Sequence, residues 1–485
     1  MIELSISLLA IPVFWALKEW RVGLLLCLAT AILQDPLRKL TPDRPVFYVA
    51  FVGVVFGGMC LGALRRGISL SPNSILKRYS QLVAPFSLFL LLVVVEAFNS
   101  FLRFGNPMIP LIGILTYLLP LPSVICAYQL VVKQGMFRFN QFMIWYIICM
   151  LLALTTVYLE FSGYKWSVLG PVGPRLIVFD RVTGQILPSN SGSFRASEIA
   201  AWHATAAACF VFLMAFSRRI TLTRFLTAAI VVALLLMLGS LTGRRKSLVE
   251  FAVFTITYFG LWIIFTKDVG KLVTIAVAGA ALLGYAWLTT ALPEDVVVRK
   301  STAESQDYSH YVEHSQNAFS EIPSRFVEIG IAPVMYAYDG FGLLGAGLGV
   351  GTQGTQYFGG GGEIGAGSAE GGLGKITLEL GIPGLLIIGW IAILVFRYLW
   401  QVMRVASRHS RQAARLSFGL FSFLTANVAG FSVATQAYGD LFVLLILSWV
   451  VAFLLAVPVL VEREVRARQP ATAEQLTPIF RPRIA

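Results

Sequence analysis

Runs of apolar residues of about 20, the length an α-helix needs to cross a hydrocarbon layer, recur along the chain with little interruption by charge. They fall at 5–18, 22–34, 47–64, 81–101, 108–128, 142–162, 196–217, 222–241, 247–265, 271–289, 373–396, 415–434 and 439–460. Within each run Leu, Ile, Val, Ala and Phe follow one another without the strict alternation of a barrel strand. The pattern therefore predicts an all-α fold: a polytopic transmembrane bundle of twelve or thirteen helices, the first two being short. Composition agrees, with 57% hydrophobic and 13% charged residues in 485, too apolar for one aqueous core. The first apolar stretch has no basic region before it and runs into Lys18-Glu19-Trp20-Arg21, so a cleaved signal peptide is not expected.

Charge supplies the orientation, because cytoplasmic loops retain Lys and Arg. Arg65, Arg66, Lys77 and Arg78 mark one such loop, Arg218, Arg219 and Arg224 a second, Arg397, Arg404, Arg408 and Arg411 a third, and the tail 463–485 a fourth. Counting helices alternately puts all four inside, with the C-terminus in the cytoplasm. The expected organisation is 1–289 as membrane helices with an outer loop at 163–195, 290–372 as a large outer loop, 373–462 as the last membrane helices, and the tail. In the large loop the stretch Arg325 to Tyr338 reads as partly helical and amphipathic, which favours a folded cap. Of the thirty-five residues from Gly340 to Gly374, sixteen are glycine, which fits a loose connector over 352–368.

The candidate chemistry lies on the outer side. Arg244 and Arg245 sit in Leu241-Thr-Gly-Arg-Arg-Lys-Ser247, a tight turn opening a helix. Cations there oppose the helix dipole, which a bound anion would relieve. Arg175, Arg195 and Arg325 are further cations of that face, and arginine forks suit phosphate oxygens. Anchoring to lipid headgroups is the competing role for each of them. Arg195 and Glu198 stand three apart and are expected to share a helix face, with His203 deeper. Glu363, Glu370 and His314 are the remaining titratable candidates, while Glu96, Glu160 and Glu250 fall near or within spans with no basic cluster beside them in sequence. The five cysteines lie in apolar runs without metal-ligand spacing, so neither a metal nor another cofactor is expected.

Three stretches together resemble the O-antigen ligase and O-antigen polymerase superfamily of bacterial membrane glycosyltransferases. They are Gly192-Ser-Phe-Arg-Ala-Ser-Glu-Ile-Ala-Ala-Trp202, then Leu238-Gly-Ser-Leu-Thr-Gly-Arg-Arg-Lys-Ser247, and then a long loop. The loop holds Ser324-Arg325, Gly340-Phe-Gly-Leu-Leu-Gly-Ala-Gly-Leu-Gly349 and Glu370-Gly-Gly-Leu-Gly-Lys-Ile-Thr-Leu-Glu-Leu-Gly-Ile-Pro-Gly384. The likeness covers about residues 190–400, with Gly243 where the family has serine and Glu370, nine residues before Glu379, where it has histidine. What the resemblance implies is transfer of a glycan from a polyprenyl-diphosphate-linked oligosaccharide to a sugar hydroxyl, at the outer face of the inner membrane. Glu370 and Arg325 would then be catalytic, with Arg244, Arg245, Arg195 and Arg175 on the diphosphate and Glu198, Glu363 and His314 in reserve.

Fixed arginines can stabilise a departing diphosphate without a metal, and a carboxylate can take the acceptor proton. Polysaccharide export proteins and membrane lipids are the expected partners, and nucleic acid is not. No Asp-x-Asp pair or Walker-type loop occurs on the inner side. Two other functions fit the same pattern: a flippase or other transporter of lipid-linked oligosaccharide, and a non-catalytic component of an exopolysaccharide assembly complex.

Overall fold

A computed structural model of the chain describes residues 2–173, 177–179, 186–217, 221–266, 311, 326–352 and 371–468. Its helices begin with α1 Ile2–Lys18, α2 Gly23–Leu40, α3 Phe51–Arg65, α4 Asn73–Leu76, α5 Val83–Phe104, α6 Met108–Leu118, α7 Pro120–Gln134 and α8 Phe137–Phe161. They continue as α9 Ser197–Ser217, α10 Leu222–Ser240, α11 Lys246–Thr266, α12 Ala332–Phe341, α13 Gly372–His409, α14 Arg411–Val433 and α15 Leu441–Arg468. A short antiparallel pair, β1 Ile177–Phe179 and β2 Ile186–Pro188, holds the strands among the described residues. Eleven of the described helical stretches are long and apolar enough to cross a membrane. The chain is an all-α, multi-pass membrane protein.

Several boundaries differ from the sequence reading, each for a physical reason. The first expected span is α1, whose 17 residues reach about 26 Å, short of a hydrocarbon core of roughly 30 Å. The second lengthens to Trp20–Leu40, because Asp35, Arg38 and Lys39, which end the apolar run, are buried in protein. Arg397, Arg404 and Arg408 do not form a loop. They lie on α13, where Val402, Met403 and Ala406 are buried while Arg404 and Arg408 face out, and Arg411 opens α14. Helix α15 carries on past residue 463 to Arg468, so the tail starts later than its charges imply. The amphipathic stretch after Arg325 is helical as expected, with a π-helical turn Phe326–Ile331 leading into α12. The expected span 271–289 lies outside the described residues.

The helices are amphipathic in the membrane sense. On α5 the stripe Leu91, Val94, Phe98, Leu102 is exposed, whereas Phe89, Val93, Glu96 and Ser100 on the other side are buried. Lipid solvates the first stripe, and the polar groups turn into protein because hydrocarbon offers them no hydrogen bonds.

The described residues form two compact units. One comprises Met1–Leu8, Leu28–Phe51 and Gln141–Glu321. At its centre α9 is buried nearly all round, against α10 and α11. Its alanines make this possible: the Cβ of Ala204 is already close to where a Cβ on Gly239 would stand, 3.2 Å away, so the two backbones approach closely.

The other unit comprises Leu9–Cys27, Val52–Asn140 and Ile322–Ala485. Here Gly58 and Gly62, one turn apart on α3, admit the backbone of α1, since a Cβ on Gly62 would meet the Ala16 carbonyl at 2.5 Å. Helix α13 is the hub of this unit and touches α5, α12, α14 and α15. Between α5, α6 and α13 runs the glycine segment Gly345–Gly349. Ala346 N donates to Leu378 O at 2.7 Å, and Leu348 N to Glu96 O at 3.0 Å. That segment is a fixed part of the interior, while the expected loose connector, 352–368, lies outside the described residues from 353 on.

Candidate functional site

Among the described residues, a dense set of buried charges lies in the first unit, around the loop that leads into α9. Residues 189–196 have no regular structure, so their backbone groups must be satisfied from elsewhere. The partners come from two helix ends. Lys39, near the end of α2, donates its ammonium to Phe194 O at 2.6 Å, Gly192 O at 2.8 Å and Val168 O at 3.1 Å. Glu160, near the end of α8, accepts from Ser191 N at 2.8 Å and Gly192 N at 2.7 Å. Asp35 accepts from Arg195 N at 3.0 Å, and its other oxygen stands 3.7 Å from the Arg195 guanidinium. Each contact joins a full charge to a dipole or an opposite charge, the stronger class of hydrogen bond.

The turn between α10 and α11 closes onto the same loop. Gly243 takes φ 73°, which lets the chain reverse before Lys246 starts α11. Asn190 Nδ2 donates to Leu241 O at 2.8 Å, and the Tyr311 hydroxyl caps Pro188 O at 2.5 Å. Arg244 meets Glu198 at 2.6 Å and donates to Ser197 Oγ at 3.1 Å. Its pairing with α9 thus ties the turn to the start of that helix. His203, a turn further in, shares a 2.7 Å hydrogen bond with the Tyr146 hydroxyl and stacks on Phe194. It is a satisfied interior histidine.

The structure therefore corrects the expected pairing. Arg195 and Glu198 do not share a helix face, because the helix begins only at Ser197. Arg195 takes Asp35, and Glu198 takes Arg244. Glu160 does have a basic neighbourhood, supplied by Lys39 from 121 residues away in the chain. Arg245 lies beside Arg244, half-buried. Lys246 has a buried ammonium nitrogen without a hydrogen bond, with Glu250, one turn on, and Glu198 supplying neighbouring negative charge. Arg175, His314, Arg325, Glu363 and Glu370 lie outside the described residues.

Two of the three stretches that carry the family likeness thus meet in one unit, and the third is in the other unit. Sequence reasoning missed Asp35, Lys39 and Lys246 as members of the site. The signal for the first two was present: a polar run Gln34-Asp-Pro-Leu-Arg-Lys39 continues an apolar helix without leaving it.

What this arrangement does physically is hold the loop 189–196 at the start of α9 through charged side chains of α2 and α8. Arg244 and Glu198 are a mutual requirement, and Arg244→Ala should cost about 2–4 kcal/mol by leaving a buried carboxylate unpaired. The double variant Arg244→Met with Glu198→Leu should recover most of that loss. Thermal unfolding of the detergent-extracted protein measures both. Equal losses in single and double variants would show that the two side chains are not coupled.

The chain matches no protein-family model and no curated protein sequence.

Proposed function

We propose that this protein is a bacterial inner-membrane glycosyltransferase of cell-surface polysaccharide synthesis. In this reading it moves a glycan from a polyprenyl-diphosphate donor to a sugar hydroxyl outside the cytoplasmic membrane, as a polymerase or a ligase, with its C-terminus in the cytoplasm. The observation that carries the reading is the charged wall formed by Lys39, Arg195, Arg244 and Lys246 with their carboxylates. Buried charge is costly in a membrane protein and is characteristic of a working site. The cations of that wall suit a diphosphate leaving group, whose charge grows as the glycosidic bond breaks. The family likeness adds Arg325, and Glu370 as the group that takes the acceptor proton, and Arg175 joins the diphosphate side as a further cation of the outer face. Because Arg195 and Arg244 already hold carboxylates, a diphosphate would bind by exchange with Asp35 and Glu198.

A second reading is favoured by one observation. Helix α13 is broken at Gly381, within a turn of the buried Glu379. Broken membrane helices beside charged residues are a hallmark of transporters, and a flippase of lipid-linked oligosaccharide would use one.

Proteoliposomes loaded with polyprenyl-diphosphate-linked oligosaccharide separate the two. Transfer predicts new glycosidic bonds, seen as longer glycans or a modified acceptor. Transport predicts donor moved across the bilayer with its glycan unchanged. Neither outcome would overturn both readings in favour of a non-catalytic assembly component.

A further inference from the structure

Lys246 is the first residue of α11, and its side chain does not take part in the ion pairs of the first unit. Its ammonium nitrogen is buried and has no hydrogen bond or ion pair among the described residues. Two carboxylates supply the neighbouring negative charge, Glu250 and then Glu198, and the ammonium is bonded to neither. Glu250 sits one turn further along α11. A lysine four residues ahead of a glutamate is the weaker order for pairing, and helical side chains lean towards the N-terminus. That lean carries the ammonium back towards the turn at Gly243–Arg245, which holds Glu198 at the start of α9.

Glu198 is held in a way that permits exchange. Arg244 Nη2 stands 2.6 Å from Glu198 Oε1 yet forms no hydrogen bond, so the two groups are close without being aligned. The Arg244 backbone is pinned: its N–H donates to Thr242 Oγ1 at 3.2 Å, and its carbonyl accepts from Ser247 Oγ at 3.0 Å. Any movement therefore belongs to the side chain. The Arg244 side chain is 23% exposed and that of Glu198 only 7%, so the guanidinium can meet an incoming anion while the carboxylate stays enclosed. An arginine that turned away would leave Glu198 with the Ser197 hydroxyl alone, which reaches its Oε2 at 3.3 Å. A buried carboxylate without a cation is strongly unfavourable.

We propose that Lys246 is the reserve partner of Glu198: when a phosphate-type anion takes the Arg244 guanidinium, the Lys246 ammonium closes on the carboxylate that Arg244 leaves. The inference rests on the proposed function for the identity of the anion, a diphosphate, and adds how the site gives up its own ion pair to bind it. Lys246 is thus a positioning residue that acts through Glu198.

The test uses the full chain in detergent with inorganic pyrophosphate as the probe. The parent should bind it saturably, and Lys246→Met should weaken binding about ten-fold or more, because binding then strands Glu198. In a Glu198→Gln background no charge has to be taken over, so adding Lys246→Met should change affinity less than about two-fold. A ten-fold loss in that background as well would mean that Lys246 grips the anion itself, and the reserve role falls. The exchange also shows without ligand. Arg244→Ala should lower the unfolding temperature further in Lys246→Met protein than in the parent, since only the parent keeps a second cation for Glu198. Lys246→Met alone should unfold no earlier than the parent, having no hydrogen bond to lose. Equal effects of Arg244→Ala in the two backgrounds, earlier unfolding of Lys246→Met alone, or its parent-like pyrophosphate binding each overturn the proposal. Transfer of glycan by a protein whose pyrophosphate binding ignores Lys246 would sink the exchange alone. Binding that depends on Lys246 through Glu198 in a protein that never transfers glycan would sink the transferase reading alone, and no pyrophosphate binding by the parent would sink the exchange together with the diphosphate site.

Discussion

Replacing Gly349 with alanine is expected to remove folded protein from the membrane. At this residue φ is +88°, and the added Cβ would lie 2.1 Å from the Ile109 carbonyl oxygen and 2.9 Å from its carbon. Both obstacles are backbone, inside a helix, so no side chain can swing away. The left-handed conformation costs an alanine about 1–2 kcal/mol, and overpacking an interior adds roughly 1–3 or more, which together approach the whole stability of a domain. The same crowding recurs two residues earlier, where a Cβ on Gly347 would stand 2.7 Å from Ser100 N and Cα. Gly340→Ala is the control, since nothing lies within 4 Å of its Cβ position and its φ is ordinary. Size-exclusion profiles of detergent extracts measure the outcome. The parent profile for Gly349→Ala would mean that the segment does not thread between α5, α6 and α13.

Lys39→Met should be the next most damaging change. The ammonium is buried, and it serves three carbonyls of the loop at distances of 2.6, 2.8 and 3.1 Å. Methionine fills similar volume but leaves those acceptors unserved. At about 1–3 kcal/mol for each buried group left without a partner, the loss should total roughly 3–5 kcal/mol. The damage should be local as well as global, because Glu160 then loses the neighbouring Lys39 ammonium while Asp35 is left with Arg195 alone. Protease sensitivity within 163–195 should therefore rise together with a lower unfolding temperature. Lys165→Met, on the exposed part of the same loop, should change stability by no more than about 0.5 kcal/mol. Equal behaviour of the two variants would reduce Lys39 to a surface charge.

The apolar runs alone determined that this chain crosses a membrane many times as helices. A lipid-facing backbone must satisfy itself internally, and that demand is written locally in every run of Leu, Ile, Val and Phe. The turn at Gly243 and the helical stretch after Arg325 are legible for the same reason, since their causes lie within a few residues. Partnership was not legible. Arg195 looked matched to Glu198 three residues on, yet the structure joins Arg195 to Asp35, 160 positions earlier, and Glu198 to Arg244. Ion pairs are decided by which helix ends packing brings together, and spacing along one segment says little about that.

The ends of helices were misjudged for a related reason. Asp35, Arg38 and Lys39 stop an apolar count without stopping the helix, because the protein interior supplies the contacts that lipid cannot. The glycines after Gly340 show the limit most sharply. Composition counts these glycines without saying what each of them touches. Only the tertiary structure reveals that Gly345, Gly347, Gly349 and Gly381 each lie against another backbone, where a single methyl group has no room. The broken helix at Gly381, with Lys375 and Glu379 enclosed on its first piece, is likewise a product of packing. Pro383 and the glycines permit the break, but the carbonyl of Leu343 and the walls around it decide where it occurs and what it encloses.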